Sequence, residues 1–410
     1  MKLGLLLQRG TDLKWAGPFA QEALAQKHEV SLFALDRQDD DPGKQYLKIS
    51  RGQCTDLMQS GATYISLDEL DISEHQELMS QDAAFILEGF HTQQANQEAW
   101  QSVRAAGVKL YSLSHFFEIC KRPLAALDKF DGSIYISQYA QELHEELQGT
   151  RSSGHTAVLG SPMFDQLRNV SRAAARRELG ISLEERVVLL IAPVILPTTP
   201  WRFHVWRDGS RIQRLKDAIR AREFRFLWEI AFGNTFKQVF EAIAAFSERN
   251  NARLIIKSRG KQRNLEFIAE KNGVFVDGLS DEYYPLFSTY KLMSVADLCI
   301  TVNSMAVLEA AALGCPCINI QVPFHDRAAA STPEKEAYNR ELMGGHKESI
   351  MNYEGSVRSV DRLRAIDYFG KDWEHVSFEP SRGAEYAQKF LGIRDQSASK
   401  RLLEHVVEAG

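Results

Sequence analysis

The segment from Ala296 to Ile320 leaves the chain few folds to adopt. An apolar run ending at Val302 meets Asn303 and Ser304; a small-residue stretch carrying Glu309 follows, then Gly314 and a second apolar run from Cys315 to Ile320. Strand, polar turn, helix, glycine stop and strand, in that order, make up one unit of a parallel sheet, since parallel neighbours need a long crossover between them. The segment predicts a helix over 304–313 whose N-terminus lies above the carboxyl end of the first strand. An anion is favoured there, because the first backbone N–H groups lack helical partners and the helix dipole points its positive end at them. Asn303 and Ser304 are therefore candidates for phosphate contact, although Ser304 also reads as a simple helix cap. Glu309, about one and a half turns into the expected helix, reads either as a contact for ribose or base hydroxyls or as a buried structural acid.

The same alternation runs through the chain. Strands are expected at 2–7, 29–34, 63–66, 83–87, 108–112, 133–136 and 156–159, with helices at 17–27, 92–106 and 138–147. A second series follows at 187–191, 253–257, 274–276, 297–301 and 316–320, with helices at 234–250, 264–271 and 304–313. At 410 residues the chain is too long for a single core. The expected fold class is α/β, with two Rossmann-like doubly wound domains facing a cleft. The expected division is an acceptor-side domain over 1–165, a nucleotide-sugar-binding domain over 166–385 and a helical tail over 386–410.

Composition narrows the function classes. A hydrophobic share of 44% and a charged share of 25% are those of an ordinary globular protein, and a net charge of −5 makes no case for nucleic acid. Five cysteines without paired metal spacing point to a reducing compartment rather than a disulfide framework. The apolar run at 2–7 breaks at Gln8 and Arg9, so it reads as a first strand and not an export signal. No window approaches the roughly 18 apolar residues of a membrane span. A cytoplasmic protein is expected, in contact at most with the inner face of a membrane.

Several segments together resemble the GT-B-fold glycosyltransferases. Phe130 to Leu143 resembles their "aspartate, apolar strand, serine, helix" element, Val158 to Asp165 their interdomain "Gly-x-Pro-x-x-Asp" element, and 296–320 their nucleotide-binding element. Within that superfamily the chain looks most like bacterial surface-polysaccharide transferases, including polyol-phosphate transferases and CMP-sugar transferases that add sialic acid or Kdo. The resemblance implies a nucleotide-activated donor, linked to UDP, CMP or CDP, and a glycan or lipid-linked acceptor; no obligatory cofactor or metal is expected. One element departs from the pattern: where many relatives carry Lys-x-His-Pro, this chain reads Lys257-Ser258-Arg259. Lys257 and Arg259, on the end of a strand expected to neighbour the 297–301 strand, are candidates for the leaving phosphate. Thr198 and Thr199 lie in the loop that approaches donor phosphates in relatives, and a proline-stiffened connector is the other reading of that loop.

Glycosyl transfer also needs a base for the acceptor hydroxyl. Glu88 ranks first; it precedes Gly89 at a strand end and resembles the acidic-Gly element of bacterial sialyltransferases. His115 falls where polyol-phosphate transferases have His-Gly, with Phe116 in place of the glycine, and His91 is third. The Gln8–Pro18 loop lacks the glycine spacing of a dinucleotide site and is expected to shape the acceptor side through Arg9 or Thr11. The basic, aromatic stretch over 201–228 suits an anionic bilayer, a lipid-linked acceptor or an acidic glycan, or else a solvated helix face. Asp39-Asp40-Asp41 reads as a solvated loop, and Cys315 and Cys317 as small apolar residues. Two other functions fit the same architecture: a nucleotide-sugar 2-epimerase, which turns over donor alone, and a non-catalytic nucleotide or sugar binder.

Overall fold

The structure is a computed structural model. It describes residues 1–7, 10–36, 49–68, 75–87, 101–114, 130–148, 155–191, 212, 215–216, 219, 227, 236–257, 274–277, 288–302, 304–321, 336, 340–341, 346–361, 364–376, 378–392 and 397–409. Two parallel sheets are built from successive stretches of chain. The first takes β1 (Lys2–Leu7), β2 (Glu29–Asp36), β3 (Thr63–Asp68), β4 (Ala83–Leu87), β5 (Lys109–Ser114), β6 (Gly132–Tyr135) and β7 (His155–Val158), in the order β3-β2-β1-β4-β5-β6-β7. The second takes β8 (Arg186–Ile191), β9 (Ala252–Lys257), β10 (Val274–Asp277), β11 (Leu298–Val302), β12 (Cys317–Gln321) and β13 (Val357–Asp361), in the order β10-β9-β8-β11-β12-β13. Every pairing within both sheets is parallel. The central strands are continuous apolar runs because helices cover both faces, which is why β1, β4, β8 and β11 are buried almost throughout. The expected two-sheet α/β architecture is what the chain adopts.

The helices that bear on the site are α1 (Leu13–Ala25), α2 (Gln138–Gln148), α3 (Arg172–Glu178), α4 (Phe236–Arg249), α5 (Ser288–Val295), α6 (Ala306–Ala312), α7 (Pro380–Leu391) and α8 (Ala398–Ala409). Helix α1 begins four positions ahead of the expected start at 17 and carries Pro18 within it. Proline costs a helix one hydrogen bond, but Leu13, Trp15, Ala16 and Phe19 are all buried, and that packing outweighs local propensity. Helix α6 begins two residues later than expected and ends in a Schellman turn. Cys315 N–H reaches the Ala310 carbonyl at 2.9 Å, and Gly314 N–H reaches Ala311 at 3.0 Å, with Gly314 at φ 70°. The expected helix at 264–271 and most of that at 92–106 lie outside the described residues.

The chain crosses between the two sheets at 159–171 and returns near Gly392. Helix α7 packs on α6 and α2, while α8 packs on α1. Gly392, between α7 and α8, has φ 69°, and a Cβ there would stand 2.4 Å from the Ile136 carbonyl oxygen, so glycine alone fits this approach. The Asp165 carboxylate closes the return. It accepts the N–H groups of Ala398 and Ser399 at 2.9 and 2.8 Å and the hydroxyls of Ser397 and Ser399 at 3.0 and 2.6 Å. The aspartate of the "Gly-x-Pro-x-x-Asp" element thus caps a helix more than two hundred residues away. Arg401 adds bonds from Nε and Nη2 to the Leu159 carbonyl at 3.0 and 2.8 Å.

Candidate functional site

In each sheet the strand order reverses direction at one place, between β1 and β4 in the first and between β8 and β11 in the second. Ligands of open α/β sheets bind beyond the carboxyl ends of the strands at that reversal. In the second sheet, β11 delivers Ser304 and α6 to this position. Ser304 is half-buried, and its Oγ accepts the Ala306 N–H at 3.3 Å, so the hydroxyl serves the start of the helix as a cap does.

Because α6 starts at Ala306, Glu309 stands in its first turn and not deeper as the sequence suggested. The N-terminal end of the helix dipole favours a carboxylate at that point. Glu309 is buried, and its Oε1 accepts a hydrogen bond from Lys14 Nζ at 2.7 Å, with side-chain exposures of 16% for Lys14 and 8% for Glu309. Lys14 lies in the first turn of α1, just beyond β1 and so at the reversal point of the first sheet. Its Nζ also stands 5.0 Å from the centroid of the buried Tyr290 ring on α5. The two reversal points therefore face one another and are joined by an ion pair.

Sequence reasoning missed Lys14, having treated Gln8–Pro18 as a loop with Arg9 or Thr11 as its contacts. A signal was present. It was limited to a lysine set between the apolar residues Leu13 and Trp15, which is buried only with a carboxylate from elsewhere; its place in the first turn of a helix, against the dipole, shows only in the structure.

Lys257 ends β9 and is 3% exposed. Its strand does not neighbour β11, as had been expected, because β8 runs between the two; at roughly 4.8 Å per strand step, the strand ends are about 10 Å apart. The parallel winding accounts for this, since each strand that follows β8 in the chain is added outward until the order reverses at β11. Between β11, β12 and β13 runs a polar row, buried at Thr301 and Asn319 and half-buried at Ser359, with Thr301 Oγ1 donating to Asn319 Oδ1 and Asn319 Nδ2 to Ser359 Oγ, both at 3.4 Å. Glu88, His91, His115, Thr198, Thr199, Arg259 and Asn303 lie outside the described residues. So do Asp39–Asp41 and most of 201–228, of which Ile212 and Ile219 are 66% and 52% exposed. Cys315 and Cys317 are buried, as expected, and burial pushes the Cys315 thiol well above its usual range.

Among the described residues, no group of three or more His, Cys, Asp or Glu side chains is placed to hold a metal ion, and no helix is long and apolar enough to cross a membrane.

No protein-family model matches the chain, and no curated protein matches it. Solved structures do match over its full length. UDP-GlcNAc 2-epimerase from Neisseria meningitidis bound to UDP-GlcNAc is similar with a TM-score of 0.54 at 13% identity, covering 100% of both chains. The S. aureus MnaA–UDP co-structure gives 0.58 at 10% identity, covering 100% of this chain and 96% of its own. Acinetobacter baumannii MurG gives 0.51 at 11% identity, covering 100% of both. At such identities the likeness is one of fold. Two Rossmann-like parallel sheets across a cleft, in the strand orders given above, define the GT-B architecture. The likeness extends to that architecture and not to surface-polysaccharide transferases in particular.

Proposed function

We propose that this chain is an enzyme that binds a nucleotide-activated sugar between its two halves. The observation that supports this reading is the meeting of the two reversal points at Lys14 and Glu309, beside Ser304. Phosphate oxygens would take the donors at the start of α6, and Glu309 would accept from ribose hydroxyls.

The reaction proposed first is epimerisation of the sugar, which uses the donor alone, because proteins described as UDP-GlcNAc 2-epimerases recur among the similar structures. Transfer to a glycan or lipid-linked acceptor is the second reading. It is favoured by the likeness to a glycosyltransferase from Rickettsia africae, with a TM-score of 0.51 at 9% identity. Either reaction needs a base. Glu88 is proposed first, since it comes directly after Leu87 in the sequence and Leu87 ends β4, a strand that borders the reversal of the first sheet. His115 and His91 are proposed after it.

A thermal-shift panel of UDP, CMP, CDP and GDP sugars, followed by incubation of the stabilising donor without acceptor, tests the proposal. Appearance of the epimer by proton NMR is the expected result. A product that forms only when acceptor is added would favour the transferase reading, and a panel with no stabilising nucleotide would sink both.

A further inference from the structure

Lys14 and Glu309 are set in an apolar surround that crosses from one half of the molecule to the other. Leu13 and Trp15 of α1, Tyr290 of α5 and Val307 and Leu308 of α6 belong to one continuous buried cluster. Two opposite charges taken out of water there gain little net stability, because desolvation of both ions offsets their attraction. Among the described residues the Glu309 carboxylate has no other hydrogen-bond partner, which leaves Oε2 as an acceptor while Oε1 is held by Lys14.

Resting on the nucleotide reading above, we infer that Lys14 is a positioning residue: it latches the first half against the second and orients the Glu309 carboxylate for the ribose hydroxyls of a bound nucleotide. An N-terminal side chain thereby controls affinity at a site built by the C-terminal half, and nucleotide binding and cleft closure become coupled through a single carboxylate. A ribose hydroxyl donating to Oε2 would leave the Lys14 bond intact. Binding at Oε2 therefore does not compete with the Lys14 contact.

The test is a double-mutant cycle on Lys14→Met, Glu309→Gln and the pair, with Lys14→Arg as the conservative control. The probe is whichever of UDP, CDP, GDP or CMP gives the largest thermal shift with the wild-type protein. Dissociation constants come from calorimetry, and small-angle scattering reports closure of the nucleotide-free protein. Lys14→Met is expected to weaken nucleotide binding about tenfold, but by less than about twofold when Glu309→Gln is already present. Lys14→Arg should restore most of the affinity, and the nucleotide-free Lys14→Met protein should show a larger radius of gyration than wild type. Independent effects that simply multiply, together with unchanged scattering, would reduce the pair to a structural contact and overturn the inference.

If Lys14→Met fails to fold because Glu309 is left buried and alone, Lys14→Met/Glu309→Leu replaces both charges with apolar groups. That variant should regain the wild-type Tm and compactness, because apolar groups suit the surround, yet bind nucleotide at least about tenfold more weakly than wild type; wild-type affinity from it would overturn the positioning role. Should the wild-type protein bind none of the nucleotides while Lys14→Met still expands, the nucleotide reading falls with the positioning role, and the latch stands on scattering alone.

Discussion

The two ends of β11 carry two acids in opposite circumstances. Asp297, just ahead of the strand, accepts from Arg176 Nη2 and the Val187 N–H at 2.9 and 2.8 Å and from Arg172 Nη2 at 2.5 Å. Arg176 itself is 1% exposed and donates from Nη1 to the carbonyls of Ser182, Leu183 and Glu185 at 2.7, 3.1 and 2.8 Å. All of these groups belong to the second half. Glu309, just beyond the strand, is held by one lysine from the other half. The fully satisfied acid ties α3, β8 and β11 together; the singly held acid joins the two halves at the proposed nucleotide site. The number and origin of an acid's partners, more than its burial, separate a structural carboxylate from a candidate site residue.

That contrast breaks most visibly at Arg176. Arg176→Met should cost about 2–3 kcal/mol, chiefly because it orphans the carbonyls of Ser182, Leu183, Glu185 and Val295, while Asp297 keeps Arg172 and the Val187 N–H, and it should leave nucleotide affinity of the folded fraction unchanged. Urea unfolding with nucleotide titration checks both, and a loss of affinity without loss of stability would reverse the assignment.

A second structural anchor, His144 on α2, responds to pH. It is buried against the Tyr135 hydroxyl at 2.8 Å, and desolvation lowers its pKa from 6.5 to about 4. Because the unfolded chain takes up the proton first, the stability tied to neutral His144 is complete above about pH 6.5 and is lost as pH falls toward 4. The loss is about 3 kcal/mol at most. His144→Gln should flatten that part of the Tm-versus-pH curve without altering nucleotide affinity; an unchanged slope would contradict this role.

Asp165→Ala should cost about 1–2 kcal/mol by uncapping α8, and hydrogen exchange should rise in α8 before it rises in β11. Uniform exchange throughout would mean that the tail is not a separate cooperative unit. Ser304→Ala should have the smallest effect on stability, below about 1 kcal/mol.

The strands were legible because each central one is an unbroken apolar run. β13 escaped because it is an edge strand, Val-Arg-Ser-Val-Asp, with two apolar residues and partial exposure. The start of α1 was hidden by Gly17 and Pro18, whose local preference is overridden by burial of the residues around them. At the candidate site, the placement of Ser304 and Glu309 at the start of a helix beyond a buried strand could be read from the strand–turn–helix order alone. Lys14 could not be paired with Glu309, nor Asp165 with the tail, because their partners lie 295 and more than 230 positions away in the chain. A parallel sheet brings the end of one strand to another through its winding order, and that order also placed β8 between Lys257 and β11.

Calorimetric titration probes the proposed nucleotide-sugar site at the start of α6. The nucleotide sugar selected by thermal shift should bind wild-type protein saturably, one per chain, and Ser304→Ala should weaken it about tenfold, the cost of one hydrogen bond to a charged group. Absence of binding heat with every nucleotide sugar, or equal affinity for wild type and Ser304→Ala, would contradict it.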